Sequence, residues 1–259
     1  MTDVTRRVEG AALVVEINRP DRANALLGRT IRGLEAGLDA AEAHESDATG
    51  LAGADVGGVV ITGGSRHFSA GADLAAFTGS LEDIGFDDEL ERLCSRITRS
   101  PLPVVAAVEG ACYGGAVDLA WACDAVVVSE EARIGLPSTR LGILYNPVSM
   151  ARLHSRLGSA VVRRLMVLQQ ELAGRELPRG SSIVVQPGAA VETAVRLVQA
   201  VSADRDTTAA TKAVLASLDS HAGFDPAHWQ AEREARLVSP SRRAALESRR
   251  ASIRNEQRA

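Results

Sequence analysis

The sequence predicts an α/β protein whose strands are buried on both faces, and three observations lead there. Short β-branched apolar runs recur along the first half of the chain. Segments with apolar residues at helical spacing separate them. The runs are also continuous rather than alternating, which is the mark of strands covered on both sides.

Taken in order, Ala11 to Ile17 reads as a strand and stops at the turn Asn18-Arg19-Pro20. From Ala25 to about Ala43, Leu26, Leu27, Ile31, Leu34 and Leu38 share a helical face. Residues 45 to 58 have no periodicity and read as a surface loop, partly disordered. Val59 to Thr62 is the next strand, and residues 81 to 99 form a polar amphipathic helix that ends before Pro101. Val104 to Val108 is a buried strand, Gly114-Gly115 opens a helix through Ala122, and Asp124 to Ser129 is again a strand. From about Val191 the pattern is wholly helical and increasingly charged, so residues 1–191 are expected to form the core and 192–259 a helical region. That tail is too polar for a core of its own and must pack on the body or on another subunit.

A chain of 259 residues, 46% hydrophobic, can bury roughly three quarters of its unfolded surface and needs no disulfide or metal staple. Its net charge of −4 gives no footprint for nucleic acid or an anionic membrane. Cys94, Cys112 and Cys123 form no CxxC pair and read as buried, reduced thiols. No apolar stretch approaches the ~18 residues of a membrane span, and the N-terminus lacks the apolar segment of a signal peptide. A soluble, cytoplasmic protein is the expectation. Histidines 44, 67, 154, 221 and 228 show no ligand spacing, so no metal site is expected. Dinucleotide, P-loop, zincin and serine-hydrolase signatures are absent.

Two glycine-rich turns carry what chemistry the pattern offers, each directly after an apolar strand: Phe68-Ser69-Ala70-Gly71-Ala72-Asp73 and Gly110-Ala111-Cys112-Tyr113-Gly114-Gly115. Small residues let a ligand approach the main chain and allow dihedrals that a Cβ forbids. The second turn opens a helix, whose first N–H groups and positive dipole end favour negative charge. Converging N–H donors from both turns make an oxyanion hole. A simple packing role for the same glycines is the alternative.

The strings NRPDRANAL, HFSAGADL, PVVAAVEGACYGGAVDLAWACDAVV and ARIGLPSTRLGIL resemble, in order and spacing, the enoyl-CoA hydratase/isomerase (crotonase) superfamily. The resemblance covers residues 10 to 165, deteriorates from Leu172 to Val191, and returns in SRRAALESRR. It implies a spiral of repeated ββα units with a helical C-terminal region, assembled as a homotrimer or a dimer of trimers. It also implies an acyl thioester substrate, usually of coenzyme A and otherwise on an acyl carrier, with no cofactor beyond that coenzyme. The thioester oxygen would be gripped by the backbone N–H groups of Ala70 and Gly115. Asn24, Ala25 and Leu26, with Gly71, Ala72, Asp73 and Gly114, would flank the coenzyme, and Arg22 would meet a phosphate, with a solvated turn arginine as the alternative.

At the family's acid and base positions this sequence departs from the pattern. The two glutamates of a hydratase are here Asp118 and Ser138. Asp118 lies three residues after Gly115 and is placed by the resemblance as the acid/base, with an N-terminal helix acid as the plainer reading. A serine at 138 is not a carboxylate base, since its hydroxyl stays protonated near neutral pH unless another base activates it. Dienoyl-CoA isomerases also carry Asp in a GGxVDL string, but their two further acids correspond to Ser138 and Asn146. Tyr145 and Asn146 are candidates for hydrogen bonding to substrate, with a loop turn before Pro147 as the plainer reading. Arg140 is a weaker candidate for steering a carboxylate, while His67 reads as a strand-end residue and Trp121 and Cys123 as core. Proton transfer of the hydratase or isomerase type leads this reading. Carbon–carbon cleavage or decarboxylation through the same enolate, and a non-catalytic scaffold, are the alternatives.

Overall fold

The computed structural model describes residues 2–43, 56–201, 205–219, 234, 238 and 240–256. The expected loop over 45–58 lies outside them as far as residue 55. The first expected strand is Ala12–Ile17 (β2), and before it stands one that the sequence reading left out, Val4–Glu9 (β1). β1 pairs antiparallel with β2 from Val4↔Ile17 to Glu9↔Ala12. Its middle residues are exposed, so no apolar pattern marks it. A charged edge strand needs one neighbour only, and its charges deter further pairing.

Helix α1 (Gly28–Glu42) buries Ile31, Leu34 and Leu38 as the periodicity predicts. After it a ββα unit repeats: β3 (Gly58–Thr62), β4 (His67–Ser69) and α2 (Ile84–Arg99); β5 (Val104–Val108), β6 (Ala111–Tyr113) and α3 (Gly115–Ala122); β7 (Ala125–Ser129), β8 (Arg133–Gly135) and α4 (Pro147–Leu157). The longer strand of each unit joins a sheet ordered β1-β2-β3-β5-β7-β10, and the shorter one joins a sheet ordered β4-β6-β8-β9. This is the α/β spiral that the resemblance implies. The short strands were not predicted, because three residues carry too little pattern to register.

Side chains alternate between the two faces of the large sheet. Leu13, Val15, Val59, Ile61, Val104, Ala106, Val126 and Val128 face the main core with α1, α2 and α3. Ala12, Val14, Val60, Val105, Ala107 and Val127 face the other way and are covered by Ala190, Ala194, Val195 and Val198 of α6 (Ala190–Gln199), which follows α5 (Ser159–Met166). Both faces are therefore dry, which explains the continuous apolar runs. The boundary expected at 191/192 falls inside α6, a helix that belongs to the core sheet.

Residues 172–191, where the resemblance deteriorates, still extend both sheets. β9 (Leu172–Ala173) pairs antiparallel with β8, and β10 (Ile183–Val185) pairs parallel with β7. The C-terminal helices α7 (Arg205–Asp219) and α8 (Pro240–Glu256) dock on the body. Lys212 Nζ donates to Leu102 O (3.0 Å) and Asp124 Oδ2 (2.6 Å), and Arg250 Nε donates to Leu74 O (2.9 Å). All three cysteines are free and buried. Among the described residues no helix is long and apolar enough to cross a membrane.

Candidate active site

β4, β6 and β8 are parallel neighbours, so the turns that leave their C-terminal ends adjoin one another. Those turns are Ala70–Asp73, Gly114-Gly115 and Leu136–Ser138. The first two pack closely. A Cβ on Gly71 would lie 2.4 Å from Tyr113 O and 3.5 Å from Gly114 Cα, so any side chain there would drive the turns apart. Gly71 also has φ +82, a left-handed value that suits glycine.

The first turn is stitched to residues 23–26. Ala70 N–H donates to Ala23 O (2.9 Å), Leu26 N–H to Gly71 O (2.7 Å) and Asp73 N–H to Leu26 O (2.9 Å). In this parallel bridge Leu26 uses the atoms on either side of Ala72, leaving the Ala72 N–H without a partner among the described residues. Here the structure corrects the sequence reading. Ala70 is not a free donor, because its N–H already has Ala23; Ala72, two residues on, is. In the second turn Gly114 N–H donates to Gly135 O (2.8 Å) and Val117 N–H to Gly114 O (3.0 Å). Gly115 N–H, at the start of α3, has no partner among the described residues, as the first N–H groups of a helix do not. Ala72, Gly114 and Gly115 are all partly exposed, so a ligand can reach them.

Asp118, on the first turn of α3, is 1% exposed. Its Oδ1 accepts from Arg152 Nε (3.0 Å) and Nη2 (2.8 Å); its Oδ2 accepts from Arg152 Nη2 (3.0 Å) and from the Ser149 hydroxyl. A carboxylate has about four lone-pair sites, and all of them are occupied here. Exchange of a proton with substrate carbon would require breaking this network first. The geometry thus departs from the expectation of Asp118 as a free acid/base and gives it a different task, anchoring Arg152. Burial works against the charge on Arg152, but Asp118 beside it more than compensates and raises its pKa. Burial, reinforced by Asp118, pushes the Cys94 thiol and the Tyr145 phenol up. Glu91 lies 4.0 Å from Arg152 Nη1.

Ser138 opens a short 3-10 turn and is 9% exposed, and its hydroxyl has no partner among the described residues. Tyr145 packs against the main core with its hydroxyl likewise unpaired. Asn146 is corrected from a substrate contact to a helix cap, since its Oδ1 accepts from Val148 N–H (2.9 Å) and Ser149 N–H (3.4 Å) at the start of α4. Asn24 also turns inward. Its Nδ2 donates to Gly63 O (2.7 Å) and His67 O (2.8 Å), and its Oδ1 accepts from Arg19 N–H, so its side chain holds the loop rather than a coenzyme. Ala25 and Leu26 are buried beneath the first turn, while Arg22 is exposed. The Asp73 carboxylate pairs with Arg19 Nη2 (2.9 Å). Arg140 Nε bonds Gln169 (3.2 Å), and the Tyr113 hydroxyl meets Glu171. Trp121 Nε1 donates to Ser181 O (3.2 Å), and Cys123 lies in the core.

Sequence reasoning missed Arg19, Ser149 and Arg152. Ser149 and Arg152 share a face of α4 at spacing i, i+3, the only local sign that they act together. Their target lies 31 and 34 residues upstream.

The family model for enoyl-CoA hydratase/isomerase matches residues 7–249. The chain belongs to this family. It is 32% identical over 208 residues to a putative enoyl-CoA hydratase of Thermus thermophilus, a span of 77% of this chain and 78% of that one. It is 32% identical over 179 residues to a probable enoyl-CoA hydratase of Bacillus subtilis, covering 68% of this chain and 66% of the relative. Among solved structures, methylmalonyl-CoA decarboxylase in complex with 2-nitronate-propionyl-CoA superposes with a TM-score of 0.82 over 96% of this chain and 95% of that one, at 20% identity. That likeness shows the crotonase fold. An acyl-CoA enzyme is what family membership supplies.

Proposed function

We propose that this enoyl-CoA hydratase/isomerase family member turns over an acyl-CoA through a thioester enolate whose oxygen is held by the N–H groups of Ala72 and Gly115. The observation that carries this is the pair of unpaired, solvent-reachable donors on adjoining turns, one of them at a helix N-terminus. Removing one such donor typically costs about 3 kcal/mol of transition-state stabilisation. Coenzyme A enters as part of the substrate, with Ala25, Leu26 and Asp73 supporting the turn beside it and Arg22 at the rim for a phosphate. A homotrimer or dimer of trimers is the accompanying assembly, which light scattering tests.

A specific observation favours the decarboxylating or carbon–carbon cleaving form of this chemistry over hydration. Asp118 has no open lone pair, and the resemblance puts Ser138 where a hydratase has its second acid. When a carboxyl group leaves Cα as carbon dioxide, the bond's electron pair passes into the thioester and no protein base is needed. The enolate then takes a proton at Cα, for which the unpaired Tyr145 phenol is the donor we assign, with solvent returning the proton to Tyr145. Hydration instead needs a held water and a proton donor, each worth typically 10²- to 10⁴-fold.

The test compares three CoA thioesters by NMR in D₂O: a malonyl-type ester for loss of carbon dioxide, a saturated ester for Cα exchange, and crotonyl-CoA for hydration. Loss of carbon dioxide should outpace hydration by at least roughly 10²-fold, the contribution of one missing acid/base. Efficient hydration that Asp118→Asn abolishes would return Asp118 to the acid/base role. Thioester binding with none of the three reactions would make the protein a scaffold.

A further inference from the structure

We infer that Arg19 is a positioning residue for the first oxyanion donor, acting through Asp73 and Ala25 on the Ala72 N–H; this rests on the enolate reading above. The Arg19 side chain is 10% exposed and touches no part of the open site. Its Nη2 donates to Asp73 Oδ2 (2.9 Å), its Nη1 donates to Ala25 O, and its Nε lies 3.4 Å from Asp3 Oδ2. Asp73 directly follows Ala72, and Ala25 directly precedes Leu26, the residue bridged to Ala72. One planar guanidinium therefore clamps both strands of the bridge that aims this N–H. A planar fork with fixed donor directions suits such a clamp better than an ammonium does.

The clamped segment would not hold this shape unaided. Ala23 (φ 46) and Asn24 (φ 57) are consecutive non-glycine residues in the left-handed region. Strained backbone of this kind persists where its surroundings over-determine it. Arg19 does so twice, since its own N–H bonds Asn24 Oδ1 (2.9 Å) while its guanidinium takes Ala25 O. Asp73 also accepts from Ala75 N–H (3.3 Å) through its other oxygen, so its carboxylate is fixed from both ends. Without the clamp, the bridge between Leu26 and Ala72 keeps its backbone bonds but loses the lateral restraint on the direction of the donor.

An oxyanion donor acts on the thioester carbonyl more than on the rest of the ligand, so the effect should appear in carbonyl polarisation rather than in affinity. The experiment is infrared difference spectroscopy of a short saturated acyl-CoA carrying ¹³C at the carbonyl, bound to the full chain, with affinity from calorimetry. In the wild type the carbonyl stretch should move to lower frequency on binding. Arg19→Gln and Asp73→Asn should lose more than half of that shift while Kd changes less than about threefold, and Arg19→Lys should recover part of it. Asp73→Asn can keep the bond to Ala75 through its remaining oxygen while turning an NH2 donor instead of an acceptor toward Arg19, so it decides the matter if Arg19→Gln does not fold. A full wild-type shift in folded Asp73→Asn would overturn the clamp. Loss of the shift only in step with loss of folded protein would also overturn it, in favour of a purely structural role. Absence of binding or shift in the wild type would instead defeat the enolate reading.

Discussion

The two walls of the site are built on opposite principles. On the side of Ala72 and Gly115, side chains and neighbouring backbone groups satisfy one another so that two N–H groups stay open. On the side of Asp118, every lone pair of the one buried carboxylate on α3 is engaged by Arg152 and Ser149. The first wall leaves donors open, and the second has its acceptors engaged. Under the enolate reading proposed above, that contrast would shift the weight of catalysis from side-chain proton transfer to backbone electrostatics.

The second wall breaks most visibly at Arg152. Arg152→Met should leave the Asp118 carboxylate buried without its partner and lower stability by about 3–5 kcal/mol in urea unfolding. Pairing it with Asp118→Leu should recover most of that loss, since apolar replacement of a whole buried pair is often neutral. Full stability in the single variant would show that the pair is not holding this wall.

The first wall breaks at Gly71. An alanine there meets a left-handed φ costing about 1–2 kcal/mol, before its Cβ is forced against Tyr113 O. Gly71→Ala should therefore melt earlier and also lose polarisation of a bound thioester. Loss of stability with polarisation intact would mean that the open donors lie elsewhere.

Asn146 sharpens the comparison at smaller amplitude. Asn146→Ala removes a cap worth about 1 kcal/mol, and calorimetry should find thioester affinity unchanged. Weakened binding at unchanged stability would restore Asn146 to the ligand side.

The smallest effect lies at the N-terminal end of β4, away from both walls. Burial first, then Arg66 and Arg133, lowers the pKa of His67, whose Nδ1 accepts from Ala111 N–H (3.4 Å). The folded state thus holds the His67 proton less tightly than the unfolded chain does. Its stability contribution is whole above the ordinary histidine pKa of about 6.5 and is lost as pH falls through the lower folded value. Thermal melts of the wild type should decline modestly over that range, and those of His67→Gln should decline less.

What could be read beforehand followed the length scale of each signal. The long strands, α1, α2 and α3 announced themselves through runs and periodicities spanning many residues. The short strands β4, β6, β8 and β9 did not, although the motifs that follow three of them did. Glycine marked where both turns lie, because φ and close approach are written in residue type. Which N–H in the first turn stays free was not written there, and the reading fell on Ala70 rather than Ala72. That choice depends on which face of the turn pairs with Leu26, a residue more than forty positions upstream.

By itself, then, the sequence determined the α/β class, the family and the location of the turns, since each rests on local propensity and on spacing along the chain. Tertiary structure alone decided the state of the functional groups. Asn24 looks like a binding residue until its Oδ1 and Nδ2 are seen to face inward, and Asn146 until its Oδ1 is seen to cap α4. Asp118 looks like a base until α4 folds across and delivers Arg152 and Ser149 to it. A polar side chain's chemistry depends on which of its hydrogen-bonding sites remain open, and only contacts between distant segments close them.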